Sequence, residues 1–262
     1  MNVKNLLPAL ASLLVMTAFS SCDKNNDWPY SDVNLTAEDI IGKWDVENVN
    51  SKYASFEFTK DGDYIVVENS SGENGTYLSY RLGTYTINAN KIVLSAYGTV
   101  EAVKVPENGI FNFLFAGSDL TALKVSNVSS SAKTDLICRS WALDTLSVDS
   151  LQISEEDRNE YYLEYGENWL QALEQQLYED NKGISFLFTK AGTCILTNKD
   201  AQNLPTMKFT EWKWTQNSGE TAISLWDDEN DAWAENYAQV LSVSDKTLEL
   251  QKGKVIYYYT AK

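Results

Sequence analysis

Ser55-Phe56-Glu57-Phe58-Thr59-Lys60-Asp61-Gly62 and Ser185-Phe186-Leu187-Phe188-Thr189-Lys190-Ala191-Gly192 are two versions of one segment, and their agreement decides how this 262-residue chain is read. Phe56 and Phe58 alternate with polar residues that face outward, the period of a half-buried strand. Asp61-Gly62 lies between two such runs, a strong hairpin signal. Upstream, Thr36–Val46 matches Thr134–Leu143, with Trp44 and Trp141 at equivalent places. Downstream, Tyr85-Thr86 and Ile92–Leu94 match Trp214-Thr215 and Ile223–Leu225. Three matches in the same order indicate a duplicated domain.

Each copy reads as short strands separated by turn residues, the pattern of a sandwich or an up-and-down barrel. The first copy spans 36–126 and the second 134–262, with a Ser- and Asn-containing linker at 127–133. The second copy carries extra residues between Trp141 and Phe186. They read as an α-helical insertion over about 154–182, opened by Ser154-Glu155-Glu156-Asp157 as a capped helix start. Tyr162, Tyr165, Trp169, Leu173 and Leu177 recur at three- and four-residue steps as one apolar stripe. That stripe either packs on its own barrel, lids an open end, or meets another protein.

Gly42-Lys43-Trp44, preceded by a short acidic helical turn, resembles the lipocalin signature. The Phe-x-Phe-Thr-x-x-Gly segments and Tyr85-Thr86-Ile87 are similar to the small lipocalin-like domains of Bacteroidetes lipoproteins. Ser140 replaces the signature glycine in the second copy. The resemblance implies a mainly β chain of two tandem lipocalin-like antiparallel barrels, each of eight strands. Barrels of that size hold one small ligand or are filled by side chains. It also implies that Trp44 and Trp141 are structural and plug the barrel floors.

The N-terminus has the order of a secretory signal over residues 1–21: a cation at Lys4, an apolar run from Leu6 to Phe19, then Ser20 and Ser21. The run is shorter than the roughly 20 apolar residues of a membrane-spanning helix. Phe19-Ser20-Ser21-Cys22 resembles a bacterial lipobox, so Cys22 is the expected lipidation site. Residues 22–35 then form a polar tether. The expected location is the cell envelope, lipid-anchored, most simply at the outer membrane on its periplasmic or outer face.

Without Lys4 the charge is about −17, which removes nucleic acid from the candidate partners because phosphate contacts need cations. The chain has no histidine, which excludes His-based triads and His-ligated metal sites. No cofactor and no metal site is expected. Asp227-Asp228-Glu229-Asn230-Asp231 supplies oxygen ligands, but Ala232 stands where a calcium loop of the helix–loop–helix type needs glycine, so it reads as a solvated loop. With Cys22 assigned to lipid, Cys138 and Cys194 are either a disulfide or two buried thiols.

The second copy concentrates aromatic residues at Trp212, Trp214, Trp226, Trp233 and Tyr237. These are either core, which is the default for large aromatics, or a surface for a small apolar ligand, a glycan or a partner protein. The expected activity is non-catalytic binding at the cell envelope. The alternatives are a carboxylate-dependent hydrolase such as a glycosidase, which needs two acids facing each other across a cleft, and a structural or adhesive envelope component. A filled barrel with exposed aromatics would favour a glycan or partner surface over an internal apolar ligand.

Overall fold

The computed structural model describes residues 33–72, 75–199 and 204–262. The expected export signal and the expected lipidation site, Cys22, lie outside the described residues. The chain forms two closed, antiparallel, eight-stranded barrels in tandem. Barrel 1 begins with helix α1 (Ala37–Ile40), followed by β1 (Gly42–Val46), β2 (Tyr53–Phe58), β3 (Asp63–Gly72) and β4 (Gly75–Asn88). It continues with β5 (Lys91–Leu94), β6 (Gly98–Ala102), β7 (Ile110–Phe115) and β8 (Ser118–Lys124), and β8 closes on β1. Barrel 2 begins with α2 (Ala132–Ile137) and β9 (Ser140–Val148), followed by the insertion. Then come β10 (Ser185–Phe188), β11 (Thr193–Lys199), β12 (Pro205–Trp214), β13 (Ala222–Asp227), β14 (Ala232–Val243), β15 (Thr247–Lys252) and β16 (Val255–Ala261), with β16 and β10 both pairing β9. Among the described residues no helix is long and apolar enough to cross a membrane.

The duplicated segment builds the same hairpin twice. Gly62 and Gly192 take φ of 87° and 90°, a left-handed conformation that costs glycine little. In each copy the threonine before the turn accepts from the strand beyond it: Asp63 N donates to Thr59 Oγ1 at 3.1 Å and Thr193 N to Thr189 Oγ1 at 3.0 Å. The tryptophans are also used alike. Trp44 and Trp141 are fully buried, and their indole N–H groups donate to Ile40 O at 2.6 Å and Ile137 O at 2.8 Å. Each thus satisfies a carbonyl at the end of the short helix that crosses its barrel floor, which a buried indole requires.

Both interiors are packed. In barrel 1, Phe56 meets Phe113 and Phe115 edge-on with ring centroids 5.1 and 5.2 Å apart, and Trp44 meets Phe111 at 5.3 Å. In barrel 2, Phe188 packs on Trp212 at 5.3 Å, and Trp212 on Trp214 at 5.6 Å. At roughly 1.5–3 kcal/mol per fully buried large apolar side chain, these two clusters dominate the stability of their barrels.

The insertion differs from a single striped helix. Ser154 caps α3 (Glu155–Tyr165) by accepting from Asp157 N at 3.0 Å. Gly166, at φ 68°, then breaks the helix before α4 (Trp169–Asn181). The break rotates the stripe. Tyr161 stacks on Trp169 at 6.1 Å and joins Leu170, Leu173 and Leu177 against Val148 and Ile153, while Tyr162 is exposed. Glu174 accepts from Val148 N at 2.9 Å, tying α4 to the end of β9. The insertion therefore packs on its own barrel. The linker is tied down as well: Ser129 and Ser131 donate to the two carboxylate oxygens of Glu220 at 2.7 and 2.6 Å.

Candidate functional site between the barrels

The outward faces of β2–β4 and β10–β12 meet. Alternation places Ile65 and Ile195 on the outside of their barrels, at equivalent positions of the repeat, yet both are buried. Tyr80 of β4 stacks face to face on Phe209 of β12, with centroids 3.6 Å apart and planes 6° from parallel. Thr193 of β11 donates to Glu57 Oε2 of β2 at 2.7 Å. Above this seam opens a cleft of about 980 Å³. Barrel 1 contributes Asp45, Asn48, Lys52, Ser55 and Tyr80 to its walls, and barrel 2 contributes Phe209, Glu211, Trp226 and Asp228. Burial raises the Tyr80 phenol above its ordinary value, and the carboxylates of Asp228 and Glu211 raise it further. Both acids share the cleft lining with the aromatic stack.

The interiors offer less room. Barrel 2 keeps a cavity of about 100 Å³ walled by Phe186, Leu196, Tyr237, Leu250, Tyr257 and Tyr259. Leu196 and Tyr237 also line a second one of about 280 Å³, with Lys208, Leu225 and Ala234. The axis of barrel 1 is occupied by its rings. Toward its open end Glu68 is buried, accepting from Tyr97 at 2.7 Å and pairing with Lys52 at 2.6 Å and Arg81 at 3.2 Å. Burial pushes the Glu68 carboxyl up, but Lys52, Tyr97 and Arg81 outweigh burial and hold it below the usual carboxylate range.

The five aromatics that cluster in the sequence are split. Trp212 is core, its N–H donating to Thr189 O at 2.8 Å. Trp214 also packs against the core and donates to Thr134 Oγ1 at 2.8 Å. For these two the surface reading is corrected, because β12 directs even-numbered side chains inward. Trp226 and Trp233 form an edge-on pair at 5.6 Å, both half-buried, and Lys213 lies over Trp233 at 4.1 Å. Of the pair, Trp226 lines the cleft. Tyr237 stands at the mouth of barrel 2 with Lys252 over its ring at 4.1 Å.

Cys138 and Cys194 are separate buried thiols, not a disulfide. Cys138 ends α2, whereas Cys194 sits in the wall of barrel 2 on β11. Burial pushes the Cys138 thiol up to about 12 and raises Cys194 as well, so neither is a nucleophile at neutral pH. In the acidic loop, Asp227 accepts from Glu229 N at 3.1 Å and Asn230 Nδ2 at 2.7 Å, so its carboxylate is committed to its own turn.

Tyr80, Phe209, Glu57 and Glu68 were not singled out from sequence. Ile65 and Ile195 held the available signal: an apolar residue on the outward face of the same strand in both copies. Comparisons with family models, curated proteins and solved structures give no match.

Proposed function

We propose that this protein is a lipid-anchored, non-catalytic binding protein of the cell envelope that holds a glycan in the cleft between its barrels. The reading is carried by one contrast: barrel 1 is filled by its rings and barrel 2 keeps cavities of only about 100 and 280 Å³, while the cleft of about 980 Å³ sets aromatic side chains beside hydrogen-bonding groups. Sugar rings offer apolar C–H faces to aromatic side chains and hydroxyls to carboxylates and amides. Trp226 suits the first role, since Tyr80 and Phe209 each give one ring face to the other, and Asp45, Asn48, Glu211 and Asp228 suit the second. Three carboxylates, Asp45, Glu211 and Asp228, stand against Lys43 and Lys52 in the lining, a balance that favours a neutral glycan over an anionic one. The anchor at Cys22 would hold the cleft at the membrane surface without any cationic patch.

Titration calorimetry against a panel of neutral oligosaccharides tests this reading. Trp226→Ala is expected to weaken binding at least tenfold, about 1.4 kcal/mol, with little change in melting temperature because Trp226 lies outside the core clusters. Full affinity in a folded Trp226→Ala variant would refute the cleft as the binding face. A hydrolytic role is the second reading, favoured by Glu211 and Asp228 both lining the cleft. Turnover of a bound oligosaccharide that disappears in Glu211→Gln or Asp228→Asn would establish it.

A further inference from the structure

Glu57 stands out among the buried groups. It lies on the outward face of β2, where alternation gives a solvated side chain, yet only 3% of it is exposed. The second barrel covers it. Thr193 donates to it at 2.7 Å and Thr189 also hydrogen-bonds it. Its place in the seam is defined by its neighbours: Ser55, one step along the same face, lines the cleft, and Thr59, one step the other way, lines a second cavity of about 160 Å³ near the barrel floors. Glu57 therefore closes the foot of the cleft. The duplication supplies an internal control, because the equivalent residue of the second copy, Leu187, lines the same cavity and is apolar.

The surroundings do not neutralise this carboxylate. From β1, Lys43 favours its charge and Asp45 opposes it, and these two pair with each other at 3.9 Å. Lys60 and Asp61 stand at the turn after β2, with Arg139 and Cys138 after α2 and Lys190 at the turn after β10. Lys190 in turn pairs with Asp135, and Lys60 donates to the Asp135 carbonyl at 3.4 Å. Two threonine hydroxyls are a poor replacement for water around a carboxylate and an adequate one around a carboxylic acid.

We propose that Glu57 is a pH-sensitive clasp between the barrels, holding the foot of the cleft closed when protonated and loosening it when ionised. The mechanism rests on geometry, and the titration of the group agrees with it: burial raises the Glu57 carboxyl, and the Thr189 and Thr193 hydroxyls only partly offset this. A group whose pKa is higher in the docked state contributes its full docking stability below its undocked pKa. That contribution is lost as pH rises through the docked value. The clasp is therefore fully effective below the ordinary carboxylate range and loosens as pH rises above it. The consequence for a ligand rests on the cleft reading above; the clasp itself does not.

The test uses the full chain without ligand. Hydroxyl-radical footprinting of Tyr80 and Phe209, together with small-angle scattering, reports separation of the seam between about pH 4 and pH 8. The expected result is oxidation of the stack that rises with pH by up to about tenfold per unit within the titration window, accompanied by a larger radius of gyration. Glu57→Gln keeps the shape without the charge and is expected to stay closed and flat across the range. Thr193→Val removes a donor that favours the ionised form and is expected to extend the window to higher pH. A flat wild-type profile, a Glu57→Gln variant that follows the wild-type slope, or a Thr193→Val window that does not move would each overturn the clasp. Glycan binding that is absent while this response is present would refute the cleft reading alone.

Discussion

Two buried glutamates show how far a single residue depends on its partners. Glu57 and Glu68 are 3% and 2% exposed and lie on neighbouring strands of one barrel. Glu57 meets hydroxyls and its carboxyl is pushed up by burial; Glu68 meets Lys52, Arg81 and Tyr97 and is held down despite burial. They therefore carry opposite pH dependences. A carboxylate whose folded pKa is depressed stabilises the fold above its unfolded pKa, and that stability is lost as pH falls through the folded value. Glu68→Gln is expected to cost about 1–2 kcal/mol at neutral pH, short of a fully buried pair because Lys52 and Arg81 are more than half exposed. Urea unfolding at several pH values checks this: the difference from wild type should shrink toward acid, and a constant difference would contradict the assignment. Neither residue was legible as buried in the sequence, because a glutamate on a strand reads as solvated.

At the scale of elements, the sequence was read most securely where one local rule sufficed. The alternation around Phe56 and Phe186 gave strands, Asp61-Gly62 gave a hairpin, and Trp44 followed a short helical turn. The insertion shows where local reading ended. Its N-terminal cap at Ser154 was visible, but its course was not, since Gly166 can sit within a helix or break one. At φ 68° it breaks it, and the apolar face passes from Tyr162 to Tyr161. Ser154→Ala is expected to cost about 1 kcal/mol, confined to α3. Amide hydrogen exchange should show faster exchange over α3 with β9 and β10 unchanged; uniform acceleration across barrel 2 would mean that the insertion folds as one unit with the barrel.

The whole molecule is two closed barrels with separate cores, joined along one seam. Closure leaves no free strand edge to pair, so the barrels meet through side chains on their walls. The Tyr80–Phe209 stack is one such contact and lines the cleft whose foot Glu57 closes. Phe209→Ala is expected to lengthen the particle in small-angle scattering and to leave far-ultraviolet dichroism unchanged, because each barrel retains its ladder and its core. Loss of dichroism would show instead that the barrels fold as one cooperative unit.

The amino-acid sequence by itself determined a duplicated, mainly β chain, the equivalence of Trp44 and Trp141 and the position of the helical insertion; the count of eight strands came from the lipocalin resemblance. These follow from rules acting over a few residues: the two-residue period of strands, the needs of tight turns and the spacing of repeated motifs. Tertiary structure decided which barrel faces meet, which of the clustered tryptophans face inward, and that Glu57 is buried. Alternation divides a strand into inner and outer faces, but nothing local states which outer face another barrel will cover. The cleft exists only because the walls of two distant copies of one segment come together.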